Sequence, residues 1–444
     1  MQRSHPYLAY TLLGIYVASC LVPIGGLSSV RQMQIGYALG CAGWLMLIHN
    51  VWRRTRRAPR IGELLLVAVA LRLFLLAAPV SDDVYRYVWE GRVRLAGFNP
   101  YLLAPDDPAL AHLRDAGWPQ INHPDHPAIY PPLAEGFCAL VAAIHPGPFT
   151  FKIALLIADL LTVAALAGWL RVARLDPRRV IAYALCPATL SAFARQAHID
   201  VLMLLGVAVF LYWCETLRQA RSHERPALMP VLLSGLALGA AIGTKWVPLI
   251  LVPCWLVLIL TVGGPGRWKT RAASLAAGVA GLALPLIVPA LFYADAGRSM
   301  IENLFHFGRE FHLLDSARQL LALAFDARMV GLASAAIMLG AVLVIALRRM
   351  RVARSTLWTF GIFILLLPTV HPWYATWLLG PLCAAMSAPW ILLPITMVFG
   401  FEGDHMLETT GQWMMPAWVV RAVFLPVYAA MIAVAFGGLK RSRP

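Results

Sequence analysis

The chain has 444 residues, of which 60% are hydrophobic and only 13% charged, and its mean hydropathy is +0.70. That balance excludes a water-soluble domain and a disordered tail, and describes a polytopic membrane protein. The net charge of +15 does not indicate a nucleic-acid partner, because the basic residues form short clusters between apolar runs, as in Arg53/Arg54/Arg56/Arg57/Arg60 and Arg348/Arg349/Arg351/Arg354. Such spacing orients a membrane protein, with the basic loops in the cytoplasm.

Apolar runs of roughly 16 to 22 residues recur, the length a helix needs to cross a hydrocarbon core. They lack the alternation of a β-barrel. Taken with the charge bias they predict an all-α polytopic bundle of about 14 transmembrane helices, both termini inside. Residues 1–60 form an N-terminal helical hairpin, with helices near 7–27 and 33–52. The first reads as a retained helix rather than a cleaved signal. The helix near 61–80 crosses outward to a first outer loop, 81–149, and the helix near 150–170 returns. Pairs follow at 180–196 and 199–217, then at 228–244 and 247–262. A helix near 272–293 leads to a second outer loop, 294–327; helices near 328–347, 356–370, 373–387, 389–402 and 416–437 complete the chain. The run Tyr130–Ile144 is short for a span and opens on Pro131-Pro132, so an interfacial or re-entrant helix is expected there. With no repeat or soluble insert, 1–444 is read as a single transmembrane domain. The seven cysteines have no CxxC spacing and read as buried thiols.

Ionisable groups at a membrane edge mark the candidate chemistry. The densest stretch is SDDVYRYVWEGRVRLAGFNPY, Ser81–Tyr101. As a helix it places Asp83, Arg86, Tyr87 and Glu90 at i, i+3, i+4 and i+7, on one face. A carboxylate and a guanidinium on one face can remove a proton from one group and hold an anion on another. An Arg86–Glu90 pair on a solvated juxtamembrane helix would read identically. Further candidates are His198 and Asp200 in RQAHID, Lys245 in GTKWVP, His371 and Tyr374 in PTVHPWY, and Arg309 in FHFGREFH. Lysine, histidine and arginine there can bind an anion; snorkelling, an aromatic belt or a bridge to Glu310 or Asp315 would look the same. The loop INHPDHPAIYPP adds Tyr130 and the metal-capable His123, Asp125 and His126, but i, i+2, i+3 spacing among prolines matches a preset metal site poorly.

In this order these motifs resemble the GT-C superfamily of membrane glycosyltransferases, and within it bacterial polyprenyl-phosphate-mannose-dependent α-mannosyltransferases. The resemblance is carried by SDDVYRY, WEGRVRLAGFNPY, IYPPLAEGF, AHIDVLMLL, GTKWVP and HPWYATWLL, and spans most of the chain from about residue 61; the hairpin 1–60 precedes the usual first helix of that family. It implies an inverting transfer of a sugar, mannose in the first instance, from a polyprenyl-phosphate donor to a glycolipid or polysaccharide acceptor. The setting it implies is the periplasmic face of a bacterial inner membrane. Asp83, four residues before Tyr87, takes the position of the catalytic base, with Asp82 as alternative or as a like-charged neighbour. Arg309, Lys245 and His371 would receive the donor phosphate, with Arg86 in reserve. Tyr87, Glu90, Tyr130, His198, Asp200 and Tyr374 would contact substrate. A monophosphate leaving group can be neutralised by side chains alone, so no cofactor or metal is expected, and no nucleic acid. A lipid or glycolipid transporter is the competing class; it would place its charges near the bilayer midplane rather than at one edge.

Overall fold

Apolar length decides most of the architecture. In the computed structural model, which describes residues 6–23, 25–56, 58–222, 228–261 and 268–441, helices form throughout. One isolated bridge, Leu313 to Thr369, is the sole β pairing among the described residues. Among the described residues, six helices are long and apolar enough to cross a membrane: Ser29–Trp52, Pro148–Val172, Asp200–Ala220, Trp268–Leu291, Ala327–Leu347 and Trp418–Phe436. Shorter apolar helices, among them Pro6–Leu21, Leu228–Thr244 and Val352–Leu366, pack between them. Leu284, Leu291, Leu339 and Leu347 stay exposed on the outer helices, as side chains facing lipid do. The chain is an all-helical polytopic membrane protein.

Four of the expected spans are broken, and one of them, 247–262, divides into the 3-10 segment Val247–Leu251 and the helix Val252–Leu260. Residues 180–196 form a 3-10 turn at Pro177–Val180, short α turns Ile181–Ala184 and Pro187–Thr189, and a π-helical turn Leu190–Arg195. Residues 373–387 become the 3-10 helix Pro372–Leu378 and one α turn, Leu379–Leu382. Residues 389–402 divide into Ala388–Thr396 and the 3-10 segment Met397–Phe401. Pro187, Pro372, Pro381 and Pro394 lack the N–H a continuous helix needs. The segments holding these prolines are apolar because protein surrounds them: Phe193, Trp377, Leu379, Trp390 and Leu393 are fully buried. Hydropathy does not distinguish that interior from lipid.

The elements that position the cavity lie early in the chain. We label Pro6–Leu21 α1, Ser29–Trp52 α2, Ile61–Leu75 α3, Asp82–Leu95 α4, Pro132–Ile144 α5 and Pro148–Val172 α6. α1 and α2 pack as a hairpin. At the end of α3, Lys152 of α6 donates to the carbonyls of Leu75 (2.9 Å) and Ala78, groups the helix cannot satisfy itself. Deeper in the same pair of helices, Arg72 Nε lies 2.7 Å from Asp159 Oδ2 with both side chains at 0% exposure. Tyr183 donates to the other Asp159 oxygen (2.8 Å), and Arg72 Nη1 donates to the Ala184 carbonyl (2.6 Å). α4 opens with Asp82 and Asp83, closes with Arg92 and Arg94, and stops at Gly97, whose φ of 88° suits a residue without a Cβ. α5 crosses α4 at Gly91, where a Cβ would stand 2.4 Å from the Cys138 carbonyl oxygen. α5, at 13 residues, is too short to cross a bilayer.

The two long loops dock on each other. Asn303 donates to the Tyr101 carbonyl (3.0 Å), Asn99 donates to Asp295 (2.7 Å), and the Tyr101 and Tyr293 rings meet edge-on at 5.4 Å. All seven cysteines are free, and five are buried.

Removing one member of a buried ion pair leaves the other uncompensated. Asp159→Ala is expected to destabilise the bundle by about 3–5 kcal/mol, read as a lowered thermal-unfolding midpoint in detergent, whereas Asp106→Ala at an exposed position leaves the midpoint in place.

Candidate active site

A cavity of about 540 Å³ is lined by α4, the 122–130 loop, the turn carrying His198, Lys245, the segment 307–313 and the segment 369–374. Helical spacing brings Asp83, Arg86, Tyr87 and Glu90 to it together, one face of α4 supplying all four. Asp83 Oδ1 accepts a hydrogen bond from Asn122 Nδ2 (2.6 Å), and Oδ2 lies 3.0 Å from His198 Nδ1. Burial alone would raise the pKa of this carboxyl. The hydrogen bond and charge of His198, with help from Asn122 and His371, outweigh burial and hold Asp83 well below the usual carboxylate range. Asp82 faces the same cleft and accepts the Asp83 backbone N–H at 3.0 Å. Desolvation in the cleft and the charge of Asp83 push its pKa up. One carboxyl of the pair is therefore firmly ionised, and its neighbour takes a proton more readily.

The turn that presents His198 is strained. After the π-helical turn the chain passes through Ala197 at φ 61°, a left-handed conformation that a residue with a Cβ adopts at a cost. Ser81 N–H donates to the Gln196 carbonyl (3.1 Å), so this turn is tied directly to the start of α4. The His198 ring stacks on Trp373 at 3.7 Å, and Trp373 stacks on His371 at 4.2 Å. Burial in this pile lowers the His371 pKa to about 4, so at neutral pH it offers an N–H without positive charge.

Lys245 supplies the cavity's ammonium. Its Nζ donates to both oxygens of Asp200 (2.7 and 2.8 Å), and Trp377 Nε1 donates to the same carboxylate (2.8 Å). Burial works against the charge, but Asp200 and neighbouring groups raise the Lys245 pKa above its ordinary value. Tyr374, Trp377 and Tyr130 surround the ammonium at 4.7, 5.3 and 5.9 Å from ring centre to Nζ.

Several expected site residues take other places. Arg86 is committed: Nε donates to Glu90 (2.6 Å), Nη1 to the His123 carbonyl (2.9 Å) and Nη2 to the His126 carbonyl (2.6 Å). It fastens the 123–126 loop to α4 rather than standing ready for a phosphate, and Glu90 is its partner. Arg309 is exposed and does not line the cavity; Phe307, Phe311, His312 and Leu313 of its loop do. Asp200 stands behind Lys245, outside the lining. Tyr87 accepts the Ile199 N–H through its hydroxyl at 3.4 Å, and Tyr130 and Tyr374 face the cavity.

Trp373, an aromatic of the PTVHPWY motif, lines the cavity, as do Asn122, Asp404 and Trp413, which sequence reasoning did not single out. Asn122 carried a signal, an amide in a loop already dense in polar groups. Asp404 and Trp413, joined by a 3.2 Å hydrogen bond, carried none, because they follow an apolar run that read as a span.

A membrane bundle that gathers an acid pair, an ammonium and stacked aromatic rings around one cleft has the makings of a membrane-embedded glycosyltransferase. The sequence matches the alpha-(1->6)-mannopyranosyltransferase N-terminal domain over residues 10–261 and the MptB C-terminal domain over residues 312–437. The first match spans more than half of the chain, which belongs to this mannosyltransferase family; its chemistry is mannosyl transfer from a sugar donor to a glycan acceptor. No curated protein matches the chain. Because the first match begins at residue 10, α1 and α2 lie largely within the family's own span rather than ahead of it.

His198 is the strongest partner lowering the Asp83 pKa, and burial persists without it. His198→Ala is expected to move the acid limb of the activity profile to higher pH. The same linkage makes the folded state acid-labile: the Asp83 contribution is present above the ordinary carboxylate pKa and fades as pH falls through the depressed one. Thermal unfolding of wild type and His198→Ala from about pH 5 down to about pH 1 checks this, with the variant losing the stabilisation at higher pH.

Proposed function

We propose that this cavity moves a mannosyl group, with inversion, from a polyprenyl monophosphate to an acceptor hydroxyl on a glycolipid or polysaccharide. The setting is the periplasmic face of a bacterial inner membrane, where the donor's tail lies in lipid and its phosphate at the edge. Inversion needs a base on one side of the anomeric carbon and a leaving phosphate on the other. Asp83 on α4 is the base, and Lys245 and His371 come from two separate elements to meet the phosphate.

An ammonium carries three donors. Two of those on Lys245 are held by Asp200, which leaves one for a phosphate oxygen. His371 contributes an N–H. Phosphate bound beside them adds negative charge near Asp83 and raises its affinity for a proton, bringing a strongly ionised carboxylate toward the strength a base needs at neutral pH. Asp82 shares that field and tunes it. Tyr130 and Tyr374 offer ring faces and hydroxyls to the sugar, while His198 and Asp200 position the base and the ammonium. Charge on a single phosphate is within reach of these groups, so the transfer step is assigned no metal.

The observation that carries this reading is the state of Asp83. Its carboxyl is gripped from two sides, yet its side chain keeps 20% exposure within the cavity that also holds Lys245 and His371.

Purified protein with synthetic polyprenyl-phosphate-mannose and a glycan acceptor tests the proposal. Asp83→Asn is expected to lower turnover by roughly 10²–10⁴-fold while donor still binds. His371→Ala is expected to lower it by roughly 10²–10³-fold, as loss of one transition-state donor does. Turnover indifferent to Asp83→Asn rejects the base, and no turnover with any lipid-phosphate sugar favours a lipid carrier instead.

A further inference from the structure

We propose that a transition-metal ion, Zn²⁺ by its ligand set, joins the first long loop to the second at the rim of the cavity, held by His126, His306 and Glu310. His306 and Glu310 lie one turn apart on the helix Ser299–Glu310, a spacing that turns both toward the same side. The third group, His126, arrives from the 122–130 loop, about 180 residues earlier in the chain. Its Nε2 is 2.9 Å from Glu310 Oε2, and His306 Nε2 is 3.2 Å from Glu310 Oε1. The three ligand atoms all lie within 4.8 Å of one another. Ligands about 2.0–2.1 Å from a tetrahedral ion stand roughly 3.3 Å apart, and each imidazole already stands near that spacing from one of the two Glu310 oxygens.

The surroundings of His126 suit a ligand. Asp125 Oδ1 stands 2.9 Å from the other ring nitrogen, Nδ1, though not aligned as a hydrogen bond. Once a metal replaces the proton that Nε2 shares with Glu310, a carboxylate at that position can hold the proton on Nδ1. The side chain is 13% exposed, with the rings of Phe307 and Phe311 at 5.8 and 5.7 Å, and its carbonyl is pinned by Arg86. His306 and Glu310 are exposed, so water can complete the coordination. Two imidazoles with one carboxylate fit zinc; magnesium and calcium prefer oxygen throughout.

The ion is a staple rather than a reactant. None of its ligands is among Asp83, Lys245 and His371, and the helix it anchors carries Phe307, part of the cavity wall. Holding that helix against the His126 loop fixes the wall against which a donor headgroup must fit.

The test uses the full chain, purified without a polyhistidine tag, stripped with a chelator and dialysed against buffer containing ZnCl₂, MgCl₂ or CaCl₂. Bound metal is measured by mass spectrometry of the digested protein, and stability by thermal unfolding. One zinc per chain and a raised unfolding midpoint are expected, with neither effect from magnesium or calcium. Both effects are expected to vanish in His306→Ala and Glu310→Gln and to persist in His145→Ala, an exposed histidine elsewhere. Asp125→Asn is expected to weaken zinc about 10–100-fold. Less than stoichiometric zinc in the wild type, or equal zinc in His306→Ala and Glu310→Gln, overturns the proposal. Both variants alter exposed side chains, so their folding is checked by the unfolding midpoint without metal.

Discussion

A carboxylate set into the edge of an apolar bundle keeps its charge only if partners replace the water it has lost. Asp83 meets that requirement through Asn122 and His198, and much of the surrounding structure exists to keep those two in place. Lys152 secures the end of α3, so α4 begins at a fixed point. The Ser81–Gln196 hydrogen bond ties that point to the strained turn that aims His198. Trp373 then covers the imidazole from above and carries His371 on its other face. Displacing any of these would desolvate a charge without compensating it.

The same economy governs the other ionisable groups. Arg72 is paired with Asp159, Arg86 with Glu90 and Lys245 with Asp200, so these buried charges each face an opposite one, while Lys152 is met by backbone carbonyls. This pairing determines what remains for a substrate. Arg86 is spent on backbone carbonyls and Glu90, whereas Lys245 is held on one side and open on the other. The family assignment supplies the chemistry, mannosyl transfer, and the pairing indicates which side chains are free to carry it out.

The aromatic content serves two physical purposes that composition cannot separate. Trp377 and Trp390 fill the protein interior, and Tyr130, Tyr374 and Trp373 form the wall of a polar cavity. Trp377 links the two, since its ring is buried while its Nε1 donates to Asp200, and Tyr130 and Tyr374 turn ring faces toward the Lys245 ammonium. The broken segments after Pro372 and Pro187 make this dual use possible. An irregular backbone can bend rings and imidazoles into one cleft, where an unbroken span would present them in a stripe.

Much of this was legible in the chain itself. A mean hydropathy of +0.70 settles the membrane class, and helical periodicity alone places Asp83, Arg86, Tyr87 and Glu90 on one face, because both are properties of neighbouring residues. Tertiary structure decided the rest. Asn122 and His198 meet Asp83 across 39 and 115 residues, Arg86 lines the cavity with its guanidinium committed to holding a loop, and Arg309 never reaches it. It also decided that the runs at 180–196, 373–387 and 389–402 are buried and broken rather than continuous spans. Charge pairing acts across any sequence separation once the chain is folded, and hydropathy registers the exclusion of water without registering whether lipid or protein excludes it.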